Sequence, residues 1–377
     1  MRIAVNTRLL LKDCLEGIGR YADEVLKRMV KAHPEHEFIF FFDRPYDTQF
    51  IYADNVTAVS LFPPARHPFL FIWWFHFSVK QALKKYDADV FLSPDGYLAL
   101  GSKVPSIPVL HDLAFIHYPN HISRLNKWHY NKYFPKYAKQ AAKVVTVSEY
   151  TKQDITKQYG IAAENIAVTY NAADESFKPV SVAEAEAVKQ NYTGGADYFV
   201  YVGAMHPRKN IAKLIEGFNL FKKQTGADKK LVLVGRYAWQ TGDINAAYEG
   251  SAFKNDIIFT GRVNDEELVK LVAAAYSMVY VPYFEGFGIP IVEAFNCEVP
   301  VITSNITSMP EVAGDAGLLV NPFSVEDIAK GIAEMNNAET HQALKQKAIA
   351  RKSAFSWDKS AEQLWQVIEE VYASSKA

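Results

Sequence analysis

Cysteine is almost missing from this chain. Among 377 residues only Cys14 and Cys297 occur, which leaves neither a disulfide framework nor a zinc-ligand spacing and points to a reducing compartment. Long apolar runs are missing as well. The longest aromatic stretch, "FLFIWWFHFSV" from Phe69 to Val79, is too short to span a bilayer and carries His76. Neither sign of charge is in excess: 41 Lys+Arg face 42 Asp+Glu, so no bulk field draws nucleic acid or an anionic membrane, and any basic site must be local. The opening "MRIAVNTRLLLKD" has no apolar core of the length a secretion signal needs, and the expected location is the cytoplasm. Short-period repeats and low-complexity segments do not occur. With 49% apolar and 22% charged residues, the composition is that of a soluble globular enzyme, and the length predicts two domains.

What is present is a rhythm of short apolar runs alternating with helical patterns, the signature of parallel-sheet α/β structure. The first half offers "RIAVN", "EFIFFF", "DVFLS", "IPVLHD" and "KVVTVS"; the second offers "YFVYVG", "KLVLVG", "IIFTG", "SMVYVP" and "VPVITS". These runs are rich in Val, Ile and Phe, as strands buried on both faces should be. Ligand loops are expected just past their carboxyl ends. Pro179 and the Gly194-Gly195 pair punctuate the stretch between the halves, and a junction is expected near residues 178–196. The reading is two doubly wound Rossmann-like domains facing a cleft, 1–185 and 186–355. A tail helix over 356–377, with Leu364, Val367, Ile368 and Val371 at helical spacing behind a cap at Asp358, packs back on the first domain.

The segment "EGIGRYADEVLKRM" contains Gly17-Ile18-Gly19-Arg20-Tyr21-Ala22, which spells the G-x-G-x-x-A of a dinucleotide site, with Asp43 where a ribose acid would stand. That site needs its first glycine in the turn directly after the first strand. Here the ten residues "TRLLLKDCLE" intervene between Asn6 and Gly17, so the nicotinamide reading falls. Gly17 and Gly19 precede a helix whose apolar face is Ile18, Tyr21, Val25 and Met29. A structural loop and an anion site at the helix start both remain open.

The second half holds a denser pattern, "VPYFEGFGIPIVEAFNCEVPVITSNITSMPEVAGDAG". A buried strand runs into Glu285-Gly286-Phe287-Gly288, and a helix is expected to start near Ile289-Pro290, where proline suits the first turn. Glu293 is expected in that first turn, eight residues after Glu285. A carboxylate can accept two hydrogen bonds from a vicinal diol, so either suits a ribose or a hexose, and the neighbouring amides suit a phosphate. After "YFVYVG", Arg208 and Lys209 stand at a strand end, Arg a planar fork and Lys a point charge, suited together to a diphosphate.

Taken together, "EGFGIPIVEA", "YVGAMHPRKN", "TGRVNDEEL", "SMPEVAGDAG" and "IPVLHDLAF" resemble the retaining nucleotide-sugar glycosyltransferases of family four, which have the GT-B fold; "GIGRYA" and "FSW" extend the likeness over nearly the whole chain. The resemblance implies that Glu293 holds the donor ribose, and that Glu285 with the amides of the Gly286-Phe287-Gly288 loop holds the donor sugar. It implies that Arg208 and Lys209 stabilise the departing diphosphate and that Arg262 and Val263 contact the base. His111 would lie by the sugar, and Gly17 and Gly19 by the phosphate. Net retention, a mannosyl donor on GDP, and no metal or other cofactor complete the expectation. Three departures stand out: Ala204 where many relatives carry arginine, "NAAD" at Asn171 where Asn-Gly is usual, and Glu298 at a common glycine position.

Asp87-Ala88-Asp89 is the one metal-type acid pair, but it precedes the strand "VFLSP" and reads as a turn at the end away from the ligand loops. The expected partners are the nucleotide sugar and a saccharide or lipid-linked acceptor of cell-surface polysaccharide synthesis, with no nucleic acid. Trp73, Trp74 and Phe77 suit a lipid interface with Lys80, Lys84 and Lys85 near headgroups, giving peripheral contact at the inner face of the membrane. They suit equally a core helix with a solvated basic end, which is the favoured reading. The competing functions are a Rossmann oxidoreductase and a non-catalytic two-domain sugar-binding protein.

Overall fold

The computed structural model describes residues 1–12, 15–236 and 242–377; Cys14 lies outside the described residues. Two compact units divide it, Met1–Asn171 with Ser356–Ala377, and Ala172–Phe355.

The first unit is built on a seven-stranded sheet: β1 (Arg2–Asn6), β2 (Glu37–Phe42), β3 (Val56–Ser60), β4 (Val90–Ser93), β5 (Ser106–Leu110), β6 (Val144–Thr146) and β7 (Ile166–Val168). Their order is β3-β2-β1-β4-β5-β6-β7 and every pairing is parallel, with Ile3 opposite Phe38 on one side and Val90 on the other. The second unit carries six strands: β8 (Tyr198–Val202), β9 (Lys230–Val234), β10 (Ile257–Gly261), β11 (Ser277–Tyr280), β12 (Val301–Ser304) and β13 (Gly317–Val320). They run β10-β9-β8-β11-β12-β13, again all parallel. Each unit is therefore doubly wound, as the alternating pattern predicts. The order reverses between β1 and β4 in the first unit and between β8 and β11 in the second, and loops leaving those strand pairs open a crevice where such sheets bind ligands.

Local chemistry explains the helices. Gly17–Ala32 buries Tyr21, Val25, Leu26, Met29 and Val30, one stripe at 3.6-residue spacing. Val182–Thr193 begins in a capping box between Ser181 and Glu184 and ends at Gly194 in the left-handed region. The tail helix Trp357–Lys376 belongs to the first unit and packs on Gly17–Ala32. Its cap is Ser356 rather than Asp358, whose carboxylate instead accepts from Arg28 Nε at 2.6 Å. Leu364, Trp365, Ile368 and Val371 are buried, and Trp365 stacks on His33 with ring centres 3.6 Å apart. Leu364→Ala is expected to destabilise the first unit by about 2–5 kcal/mol through lost burial and the cavity left behind. Denaturant unfolding of the full chain followed at the tryptophans reads this out, and an unchanged midpoint would show that the helix is a dispensable appendage.

The aromatic stretch forms one continuous helical segment: α-helical over Pro68–Trp73, a π turn over Trp74–Val79, and α-helical again over Lys80–Lys85. Trp74, Phe75 and Val79 are in the core, so Trp74 is withdrawn from the lipid-facing trio. Trp73 and Phe77 remain exposed. No helix among the described residues is long and apolar enough to cross a membrane.

Candidate active site

The reversal point of the second sheet gathers the strongest cluster. After β8 the chain passes through a 3-10 turn, Pro207–Lys209, to Asn210, which adopts a left-handed backbone and starts the helix Ile211–Thr225. The Asn210 amide donates to Val281 O at 2.9 Å and Pro322 O at 2.8 Å, tying this loop to those after β11 and β13. Tyr283 N donates to Arg208 O at 2.8 Å, so main chain also joins the two central loops.

These constraints bring Arg208, Lys209 and Glu285 together. Arg208 Nη1 donates to Glu285 Oε1 at 2.6 Å and to Phe284 O at 3.1 Å. Lys209 Nζ lies 2.6 Å from the same carboxylate oxygen and donates to the Tyr280 hydroxyl at 2.6 Å. Glu285 is buried. Burial alone would raise its pKa, but the Arg208 and Lys209 charges and their hydrogen bonds outweigh that and hold it below the ordinary carboxylate value. The Tyr280 hydroxyl moves the other way, first through burial and then through the Glu285 charge, and stays protonated. Glu285 is thus a buried, ionised acid shared by two cations.

The loop Gly286-Phe287-Gly288 is fixed from the other side. Ser308 Oγ donates to Glu285 O at 2.9 Å and to Phe287 O at 3.2 Å. Gly288 has φ +98, and a Cβ there would lie 2.7 Å from Met309 Cε, so only glycine serves. The helix Ile289–Asn296 follows, with Pro290 in its first turn as expected. Glu293 is corrected by one turn: the first turn holds no acid, and Glu293 stands in the second, buried. It lies near Cys297, whose thiol is pushed up to about 12, by burial first and then by the Glu293 charge. Glu298, at the expected glycine position, does adopt a left-handed backbone (φ 61), a conformation costing a non-glycine residue roughly 1–2 kcal/mol.

Arg262 and Val263 follow β10, between Gly261 and the Asn264 cap of the next helix. They share the carboxyl edge of the sheet with Arg208, but β9 separates β10 from β8. Ala204 carries no charge, and its carbonyl accepts from the Tyr201 hydroxyl at 3.3 Å.

The remaining predicted residues belong to the first unit. Gly17 and Gly19 do not precede the helix but form its first turn, behind an uncapped Glu16. A Cβ on Gly19 would sit 2.7 Å from Leu9 O, whereas one on Gly17 would meet nothing within 4 Å. Close packing therefore accounts for Gly19 and leaves Gly17 open. His111 sits at the end of β5, half-buried; its Nε2 lies 2.8 Å from Pro94 O, and its ring meets Tyr21 edge-on at 5.0 Å. Since a carbonyl only accepts, Nε2 carries the hydrogen and Nδ1 is left as an acceptor. Burial lowers the His111 pKa, which keeps the ring neutral near pH 7. Tyr21 thus links the glycine turn to His111.

Two features at the sheet reversals escaped sequence reading. Ser308 is one: it opens the motif "SMPEVAGDAG", but the motif does not assign it the anchoring of the loop after β11. The other is the buried Arg8–Asp95 pair at the reversal of the first sheet, where Asn6 Nδ2 also donates to Asp95 Oδ1 at 2.7 Å. Arg8 Cζ lies 4.7 Å from the centre of the Tyr97 ring and 4.8 Å from that of Phe71. Asp87-Ala88-Asp89 lies at the opposite edge, where Asp89 accepts from Arg2 N at 2.9 Å. Among the described residues no three His, Cys, Asp or Glu side chains form a metal-type group.

Comparison with known proteins agrees with this arrangement. The chain is similar to O-antigen chain mannosyltransferase B of Escherichia coli, 29% identical over 372 residues, covering 92% of this chain and 94% of that protein. It is 32% identical over 241 residues to O-antigen chain mannosyltransferase RfbU of Salmonella typhimurium, covering 60% of this chain and 63% of that one. In fold it is similar to sucrose-phosphate synthase from Thermosynechococcus elongatus, with a TM-score of 0.79 at 18% identity over 99% of each chain. The family model for Glycosyltransferase Family 4 matches residues 15–177, and that for Glycosyl transferases group 1 matches residues 183–352. With each of its units accounted for by one of these models, the chain belongs to the family-four glycosyltransferases, with the GT-B fold.

Proposed function

We propose that the protein transfers a mannosyl residue from GDP-mannose, with retention of anomeric configuration, to a saccharide or lipid-linked acceptor in the cytoplasm during surface-polysaccharide synthesis. The observation that carries this is the Arg208–Glu285–Lys209 cluster at the reversal point of the second sheet. Breaking a sugar–diphosphate bond puts negative charge on the leaving phosphate, and two cations held against a buried wall stabilise it as it forms. A diphosphate competes with Glu285 for Arg208 and Lys209; once it engages them, the carboxylate turns to the hydroxyls of the donor sugar. The proposal needs no metal, because the protein's own cations take the charge. Glu293 takes the ribose hydroxyls, and Arg262 with Val263 the base. In the first unit, His111 Nδ1 accepts from a sugar hydroxyl, and the open amides at Gly17 and Gly19 face a phosphate. The mannosyl donor is supported by the named relatives, and retention by the family resemblance.

Incubation with a panel of nucleotide sugars, following release of the nucleoside diphosphate, tests the donor; turnover of a UDP-sugar but not GDP-mannose would replace it. The anomeric coupling of the product tests retention. Glu293→Ala is expected to weaken GDP binding about 10-fold or more, the loss of a charge-assisted pair of hydrogen bonds. Titration calorimetry with GDP checks this, and an unchanged Kd would remove Glu293 from the ribose.

A further inference from the structure

The Lys209 ammonium is divided between two oxygens, Glu285 Oε1 and the Tyr280 hydroxyl, each 2.6 Å away. An ammonium only donates, so the Tyr280 oxygen accepts from it and the phenolic hydrogen is left to donate. The Glu285 carboxylate, an acceptor only, takes that hydrogen. Lys209, Tyr280 and Glu285 therefore close a ring of three hydrogen bonds. Tyr280 is its rigid member. It ends β11 at the reversal of the second sheet, is fully buried, and stacks on Tyr201 of β8 with ring centres 6.0 Å apart and planes 20° apart. Its carbonyl accepts from the Thr303 hydroxyl at 2.7 Å. A lysine stem can swing about such a fixed phenol, but the phenol itself cannot follow.

The ring acquires a purpose when a diphosphate arrives. Drawing Arg208 and Lys209 toward the ligand leaves Glu285 buried without its cations. A buried carboxylate stripped of its partners takes up a proton, all the more so beside an added negative charge, and then accepts more weakly from sugar hydroxyls. Arg208, Lys209, Tyr280 and Tyr201 face the carboxylate. Of these, Tyr201 is committed elsewhere, its hydroxyl donating to Ala204 O at 3.3 Å. Ser308 engages the main-chain oxygen of Glu285 and not its carboxylate. Tyr280 is the neutral donor that stays in place as the cations move.

We propose, on the diphosphate reading of this site, that Tyr280 is a positioning residue of the transfer. Its hydroxyl is the pivot about which Lys209 turns from Glu285 to the diphosphate, and the donor that holds Glu285 ionised once both cations have turned away. Calorimetry with GDP, or with the nucleoside diphosphate of whichever donor the panel selects, tests this, because that ligand brings a diphosphate but no hexose hydroxyls. Tyr280→Phe is expected to bind it about tenfold more weakly than wild type, the loss of a hydrogen bond to a buried charge. Titrations near pH 7 in buffers of different ionisation enthalpy should show the variant taking up about half a proton more than wild type on binding, as Glu285 protonates. The ligand's own titration is common to both proteins and cancels. In the Glu285→Gln background, Tyr280→Phe should change the affinity less than about twofold, since a neutral amide needs no such donor. Tyr280→Phe retains the ring and its stack on Tyr201, so the melting temperature is expected to hold. Tyr201→Phe, which trims the same stacked pair, is expected to bind as wild type does. Equal affinity and proton uptake in Tyr280→Phe, an undiminished loss in the Glu285→Gln background, or the same loss in Tyr201→Phe would each overturn the role of Tyr280 alone. A wild type that binds no nucleoside diphosphate would instead overturn the diphosphate reading and this proposal with it.

Discussion

Arg208→Ala is expected to lower turnover about 10²–10³-fold, the usual loss when one preorganised donor to a developing oxyanion is removed. Among the contacts that position Arg208, its guanidinium engages Glu285 and the Phe284 carbonyl, its own carbonyl takes the Tyr283 amide, and its N–H donates to His206 Nδ1 at 3.3 Å. Only the first two are lost on truncation, so the loop stays tied through its main chain. Arg208→Lys should recover little, because an ammonium cannot span both acceptors as the planar fork does. Initial rates with the best donor of the panel decide the matter. A rate within about twofold of wild type would mean that the leaving group is stabilised elsewhere.

Glu285→Gln should separate binding from transfer. The carboxylate neutralises part of the charge of Arg208 and Lys209, both of which contact the same oxygen. Replacing it with a neutral amide frees that charge for an incoming diphosphate, so GDP should bind about fivefold more tightly. Transfer should nonetheless fall about 100-fold, because the group meant for the donor sugar is lost. Calorimetry with GDP and single-turnover transfer give the two numbers independently. Weaker GDP binding in the variant would show that Glu285 orders the cations rather than competing for them.

What the sequence revealed follows from where each element lies in its sheet. The strands read from apolar runs include every interior strand of both sheets. Those not anticipated are β3, β7 and β13, each at a sheet edge. Edge strands are covered less completely, and β3 has no fully buried residue, so no continuous apolar run marks it. The cation pair and Glu285 were readable because strand ends followed by Gly and charge are rare and local. Glu293 falls one turn later than expected although its helix starts where expected, because Ile289 to Val292 complete the first turn and Glu293 opens the second. Gly17 and Gly19 were set before their helix because glycine is ordinarily a poor helix residue, and the contact that demands Gly19 comes from Leu9, ten positions upstream. Arg8–Asp95 joins residues 87 apart, and neither one's neighbours announce it.

The first unit is discontinuous: Met1–Asn171 is completed only by Ser356–Ala377. During vectorial synthesis its sheet emerges early, but the helix that covers the exposed side of Gly17–Ala32 arrives after the second unit has left the ribosome. The usual order, in which the leading domain settles first, is therefore inverted. Ala172–Phe355 can reach its native state while the nascent first unit still shows the apolar stripe that Leu364, Trp365 and Ile368 will cover. During that interval the stripe stays open to solvent, and truncation before Ser356 would prolong it indefinitely.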